Sequence, residues 1–126
     1  MKSCVRALAM TSLLAIFVLS LVPGEFRPRT MILPPGFEHV AAYAVAAFFL
    51  GLACYQRLPP VQLVLLLTSY GALLELGQLW VPGRHGQLSD VGADLAGASI
   101  GVIVALAVSE TSPRRCARRP GVIIEG

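Results

Sequence analysis

Four apolar stretches, separated by short runs rich in proline, glycine and charge, organise the 126-residue chain. The first, Val5 to Val22, is interrupted only by Arg6, Thr11, Ser12 and Ser20 and stops at Pro23-Gly24. The second, Phe37 to Tyr55, is rich in alanine, carries Ala47 and Gly51 four residues apart, and ends at Gln56-Arg57-Leu58-Pro59-Pro60. The third, Val61 to Val81, is most hydrophobic at Val64-Leu65-Leu66-Leu67 and turns polar near its end with Glu75 and Gln78. The fourth follows Pro82-Gly83-Arg84-His85-Gly86-Gln87 and runs from Ser89 to Val108, with Ser89 or Asp90 as the expected N-cap. At about 1.5 Å rise per residue, each stretch spans the ~30 Å hydrocarbon core of a bilayer. The pattern predicts an all-α membrane protein, a four-transmembrane-helix bundle over about residues 5–22, 37–55, 61–81 and 89–108. Between the first two helices, Pro23, Pro28, Pro34 and Pro35 argue for an extended connector up to Gly36, with Met31-Ile32-Leu33 touching the interface.

Composition agrees with that pattern. Apolar residues make up 56% of the chain and charged residues 13%, where an ordinary soluble domain has roughly 45–50% and 25%. Mean hydropathy is +0.72. Four crossings leave no room for a separate soluble domain, so residues 1–110 are read as one membrane domain and 111–126 as a disordered basic tail. Lys2 ahead of the first apolar run and Arg6 at its start also resemble a secretory signal, but no small-x-small cleavage site follows, and the run is read as an anchor.

Charge supplies the orientation. An even number of crossings puts both termini on one side, and that side holds seven of the ten basic residues: Lys2, Arg6, Arg57, Arg114, Arg115, Arg118 and Arg119. Arg27, Arg29 and Arg84 fall opposite. The positive-inside rule then places both termini in the cytoplasm. Cys4, Cys54 and Cys116 lie on that reducing side at irregular spacing, which argues against both a structural disulfide and a zinc site.

Polar residues within the spans gather at the outer end. Glu75 lies six residues before the expected end of its helix, ~9 Å deep, and Asp94 about four residues into the next, ~6 Å deep. A short connector makes these helices antiparallel neighbours. Asp90, Asp94, Gly97 and Gly101 share one face; Thr68, Gly71, Glu75 and Gln78 share another; His39 and Tyr43 align one turn apart on the second helix. Gly97 and Gly101 form a Gly-x-x-x-Gly pair, read as a helix-packing device. Ionisable groups in a bilayer are expensive unless they face partners or water, so His39, Glu75, Gln78, Arg84, Asp90 and Asp94 form the candidate polar cluster, with Arg84 as counter-ion to the acids.

The motif Glu75-Leu76-Gly77-Gln78, the Pro82-Gly83-Arg84 turn, then Ser89-Asp90, Asp94 and Gly97 resembles the VanZ-like family of small bacterial membrane proteins, whose pattern is E-x-x-Q, Pro-Gly-Arg, D-x-x-x-N-x-x-G. Ser20-Leu21-Val22-Pro23 and His39 with Tyr43 extend the resemblance over about residues 10 to 108. Asp94 stands where that family usually has Asn, and Pro35-Gly36 where an Asp-Lys pair often precedes the His. The family is named for a member associated with teicoplanin resistance and has no established biochemical activity. The resemblance therefore implies a place in the bacterial plasma membrane and cell envelope without implying a reaction or resistance.

Three functional readings follow. The first is a non-catalytic envelope protein whose outward polar pocket takes a small ligand, a lipid headgroup or a partner. The second is an intramembrane enzyme on a lipid-linked or cell-wall precursor, with Glu75 or Asp90 as general base and His39 or Arg84 steadying a phosphate. Against it stand the lack of a Ser or Cys nucleophile beside a base, of a Gly-rich phosphate loop and of HExxH-type spacing. The third is a proton-coupled transporter, disfavoured because the acids sit near one face and not at the midplane. No catalytic, cofactor or metal residue is assigned: three carboxylates with His39 and His85 could hold a divalent ion, but as sequence they are dispersed. The arginine tail is read as facing anionic lipid and not nucleic acid. A homo-oligomer is left open.

Overall fold

A computed structural model describes residues 2–26, 35–54 and 57–111. The basic tail with Cys116, the Met31–Leu33 patch, Arg27 and Arg29 lie outside the described residues. Four helices are present: α1 (Lys2–Leu21), α2 (Pro35–Cys54), α3 (Pro60–Gln78) and α4 (Leu88–Glu110), with a single 3-10 turn over Gly24–Phe26. All four are long and apolar enough to cross a membrane, and there are no strands among the described residues. The chain is a multi-pass membrane protein.

Several helix ends differ from the sequence expectation, each for a local reason. Pro35 opens α2 and Pro60 opens α3, since a helix's first N–H groups have no intrahelical partner and proline's fixed φ suits the first turn. The connector is not uniformly extended, because Gly24–Phe26 closes a 3-10 turn through Phe26 N–H to the Pro23 carbonyl, 3.0 Å. α3 stops at Gln78, three residues before the expected Val81. Leu79, Trp80 and Val81 instead close i→i−3 turns on Leu76, Gly77 and Gln78, and Gly83 follows Pro82 at φ +72°, a conformation open to glycine. The N-cap of α4 is Gln87, in extended conformation and without a side-chain cap bond, so Ser89 and Asp90 fall inside the first turn.

The bundle is packed with small residues inside and large ones outside. Ala46, Ala47, Ala98 and Ala105 are fully enclosed, whereas Leu65, Leu66, Leu73 and Ile103 face outward. On α3, Leu73 is 67% exposed and Glu75 only 6%. In water that distribution would be unfavourable; in lipid the exposed leucines meet hydrocarbon and the polar groups turn to one another.

α2 and α4 make the most extensive contact, ahead of the sequence-adjacent pair α3 and α4. Gly97 and Gly101 are the cause. A Cβ on Gly97 would collide with the Val40 carbonyl oxygen, and one on Gly101 with the Ala44 carbonyl oxygen. Gly51 answers from α2, where a Cβ would stand 2.7 Å from the Ala105 Cβ. Bare backbone thus lets two helices approach at three levels, gaining dispersion contacts that bulkier residues would forfeit.

Candidate functional site

The α2–α4 approach sets one end of the bundle. His39 lies in the second turn of α2, Glu75 and Gln78 in the last turn of α3, and Asp90 and Asp94 in the first two turns of α4. Antiparallel connection brings these ends together. Because α3 ends early and α4 starts at Leu88, the depths are reversed from expectation: Glu75 is three residues from its helix end, about 4.5 Å, and Asp94 six residues inside, about 9 Å.

His39 is the hub. Its Nδ1 lies 2.9 Å from Asp94 Oδ1, and its Nε2 lies 3.7 Å from Asp90 Oδ2. With Asp94 ionised, a carboxylate that can only accept, Nδ1 would carry the hydrogen and donate it. Asp94 is 1% exposed, and its second oxygen, Oδ2, has no hydrogen-bond partner among the described residues. That oxygen faces α3 at Gly71, where a Cβ would strike it and would stand 2.9 Å from the Tyr43 hydroxyl. Thr68 Oγ1, one turn deeper on the same face of α3, is likewise buried without a partner.

Glu75 is held from its own helix and from the loop. Gln78 Nε2 donates to Oε1 at 3.3 Å, an i,i+3 pair, and the Gln87 backbone N–H donates to Oε2 at 3.0 Å. Gly86 makes the second bond feasible, because a Cβ there would stand 2.6 Å from the Glu75 carbonyl oxygen and hold the loop away. His39, Glu75 and Asp90 each present one ligand atom, and all three atoms lie within 4.8 Å of one another. The acids and His39 that looked dispersed in sequence therefore converge, while His85 is exposed and outside the group.

Arg84 was expected as counter-ion to the acids, and its described hydrogen bonds point elsewhere. Nε donates to the Val22 carbonyl at 3.2 Å, and Nη2 donates to Leu19 and Ser20 carbonyls at 2.6 and 2.9 Å. These are carbonyls at the C-terminal end of α1, which lack intrahelical partners and attract a cation. Gly24 N–H to the Pro82 carbonyl, 3.2 Å, fastens the same two loops. Arg84→Met is thus expected to lower stability in detergent by about 1–3 kcal/mol, the range for hydrogen bonds to a charged group. Thermal unfolding of the purified chain measures it; an unchanged midpoint would show that the clamp contributes nothing.

Three contributors were not assigned from sequence. Gly71 shares a face with Glu75, a visible signal, but its role as clearance for Asp94 depends on α4. The Gln87 backbone N–H carries no sequence signature. Tyr43 lies one turn from His39 in sequence, but that its hydroxyl and Asp94 Oδ2 both border Gly71 depends on the packing of three helices.

Residues 4–109 match the family described as VanZ/LLP1. No curated protein and no solved structure matches the chain.

Proposed function

The chain belongs to the VanZ/LLP1 family, and from that premise we propose that it is a non-catalytic cell-envelope membrane protein whose outward-facing acidic layer holds a small cationic ligand or the amine of an envelope lipid headgroup. The observation that carries this reading is the convergence of Glu75, Asp90 and Asp94 on a single imidazole, His39. Three carboxylates brought from two helices into a low-dielectric layer repel one another, and a bound positive charge relieves them. Asp90 and His39 remain partly open, with side chains 23% and 14% exposed, so a ligand has a way in.

The outward direction rests on the seven-to-three split of basic residues. A reporter active only in the cytoplasm is expected to work when fused after Gly126 or near Arg57 and to fail near Gln87; a signal from the Gln87 fusion overturns the orientation. For the ligand, mass spectrometry of lipids and metals co-purified with the wild type and with Glu75→Gln is the test. The wild type is expected to retain a metal ion or amine-bearing species that the variant loses. Identical profiles for both chains would remove the layer's claim to bind anything.

A further inference from the structure

We propose that the acidic layer is a mononuclear site for a divalent transition-metal ion, with His39 Nε2, an Asp90 oxygen and a Glu75 oxygen as ligands and Asp94 as the outer carboxylate that orients His39. The proposal deepens the reading of the layer as a cation site and rests on it. The His39–Asp90 distance favours a metal over an amine. Ligands about 2.0–2.1 Å from a tetrahedral ion stand about 3.3–3.4 Å apart. Acceptors about 2.8 Å from an ammonium nitrogen stand about 4.6 Å apart. The 3.7 Å between His39 Nε2 and Asp90 Oδ2 lies nearer the metal value. Glu75 completes the triangle within 4.8 Å, its two oxygens also accepting from Gln78 Nε2 and the Gln87 N–H.

Asp94 points to the same conclusion independently. It is not one of the three ligands, yet it is 1% exposed, and it accepts from Nδ1, so that in the neutral ring the lone pair of Nε2 faces Asp90. Metal-bound histidines are held in this way by a carboxylate on the other ring nitrogen, which raises ligand basicity. Its unpartnered Oδ2 leaves part of a buried negative charge uncompensated among the described residues, and a cation on the far side of the imidazole offsets it. One imidazole with two carboxylates suits Zn²⁺ or a neighbouring first-row ion better than Ca²⁺ or Mg²⁺, which take oxygen ligands in larger number. The ligand atoms come from three helices, so the ion ties α2, α3 and α4 together.

The test is calorimetric titration of the full-length chain in detergent with Zn²⁺, Ca²⁺, Mg²⁺ or ethanolamine, in a background where Cys4, Cys54, Cys116 and His85 are replaced by Ser, Ala, Ser and Gln. One equivalent of Zn²⁺ is expected to bind, more weakly as pH falls because the imidazole lone pair is needed. Asp90→Asn, on a side chain 23% exposed, is expected to weaken binding at least 100-fold. Asp94→Asn should weaken it about 10–100-fold. Glu110→Gln, at the far end of α4, should leave it unchanged. Binding of ethanolamine without Zn²⁺, or Ca²⁺ and Mg²⁺ binding as tightly as Zn²⁺, overturns the transition-metal site and leaves the cation-binding reading standing. Equal Zn²⁺ binding in wild type and Asp90→Asn overturns the ligand set. Failure of every cation in the wild type overturns both readings.

Discussion

Gly101→Leu is expected to prevent normal assembly of the bundle, lowering stability by about 3 kcal/mol or more and membrane abundance with it. The first added carbon already meets the Ala44 carbonyl oxygen, with the Ala47 Cβ at 2.7 Å and the Phe48 backbone nitrogen at 2.9 Å. Two of these are backbone atoms of an intact helix, so no rotamer change relieves the clash. α2 must move away, and His39 moves with it. Gly92→Leu on the same helix is the control, since a Cβ there has nothing within 4 Å. Detergent-resistant mobility and abundance in membranes should fall for Gly101→Leu and hold for Gly92→Leu. Equal behaviour of the two would mean that α2 and α4 do not meet along this stripe.

The second large effect concerns the His39–Asp94 pair. His39→Leu leaves Asp94 with neither oxygen partnered in a site that is 1% exposed, and is expected to destabilise by about 3–5 kcal/mol. His39→Leu combined with Asp94→Leu removes the stranded charge as well and should recover part of that loss. The direction follows from the penalty for an uncompensated buried carboxylate, which exceeds the net contribution of the pair itself. Unfolding of both single variants and the double in one detergent gives the coupling. Strict additivity would place the imidazole and the carboxylate out of contact.

The four helices were legible because a bilayer-spanning run is a compositional signal that tertiary context does not override. The polar ends of α3 and α4 were legible too, from Glu75, Gln78, Asp90 and Asp94 breaking otherwise apolar runs. Helix ends were harder: Leu79-Trp80-Val81 continues the apolar pattern past Gln78, yet these three close i→i−3 turns ahead of Pro82-Gly83. Ser89 and Asp90 carry cap chemistry, yet the extended backbone sits at Gln87.

Partnership inside the layer was not legible from spacing. His39 and Asp94 are 55 residues apart, and their meeting depends on α2 and α4 being the most closely packed pair. Chain connection alone makes α3 and α4 neighbours and pairs Glu75 with Asp94, with Arg84 in the loop between them. The glycines held the missing information: Gly97 and Gly101 on the Asp94 face mark where another backbone comes near, and the small residues Ala47 and Gly51 on α2 are its match. For Arg84, charge alone suggests an acid as partner, and the α1 end adds carbonyls as acceptors that spacing does not reveal.

The central claim is that His39 joins α2 to α4 through an Nδ1–H donated to Asp94, with Nε2 turned toward Asp90 and Glu75. With only two histidines in the chain, His85→Gln leaves His39 as the one imidazole, and its ¹⁵N resonances in a bilayer sample report each ring nitrogen separately. The account predicts an Nδ1 that stays protonated and hydrogen-bonded from mildly acidic to mildly basic pH, a signature abolished in Asp94→Leu. An imidazole with an unprotonated Nδ1, or one unaffected by Asp94→Leu, would contradict it.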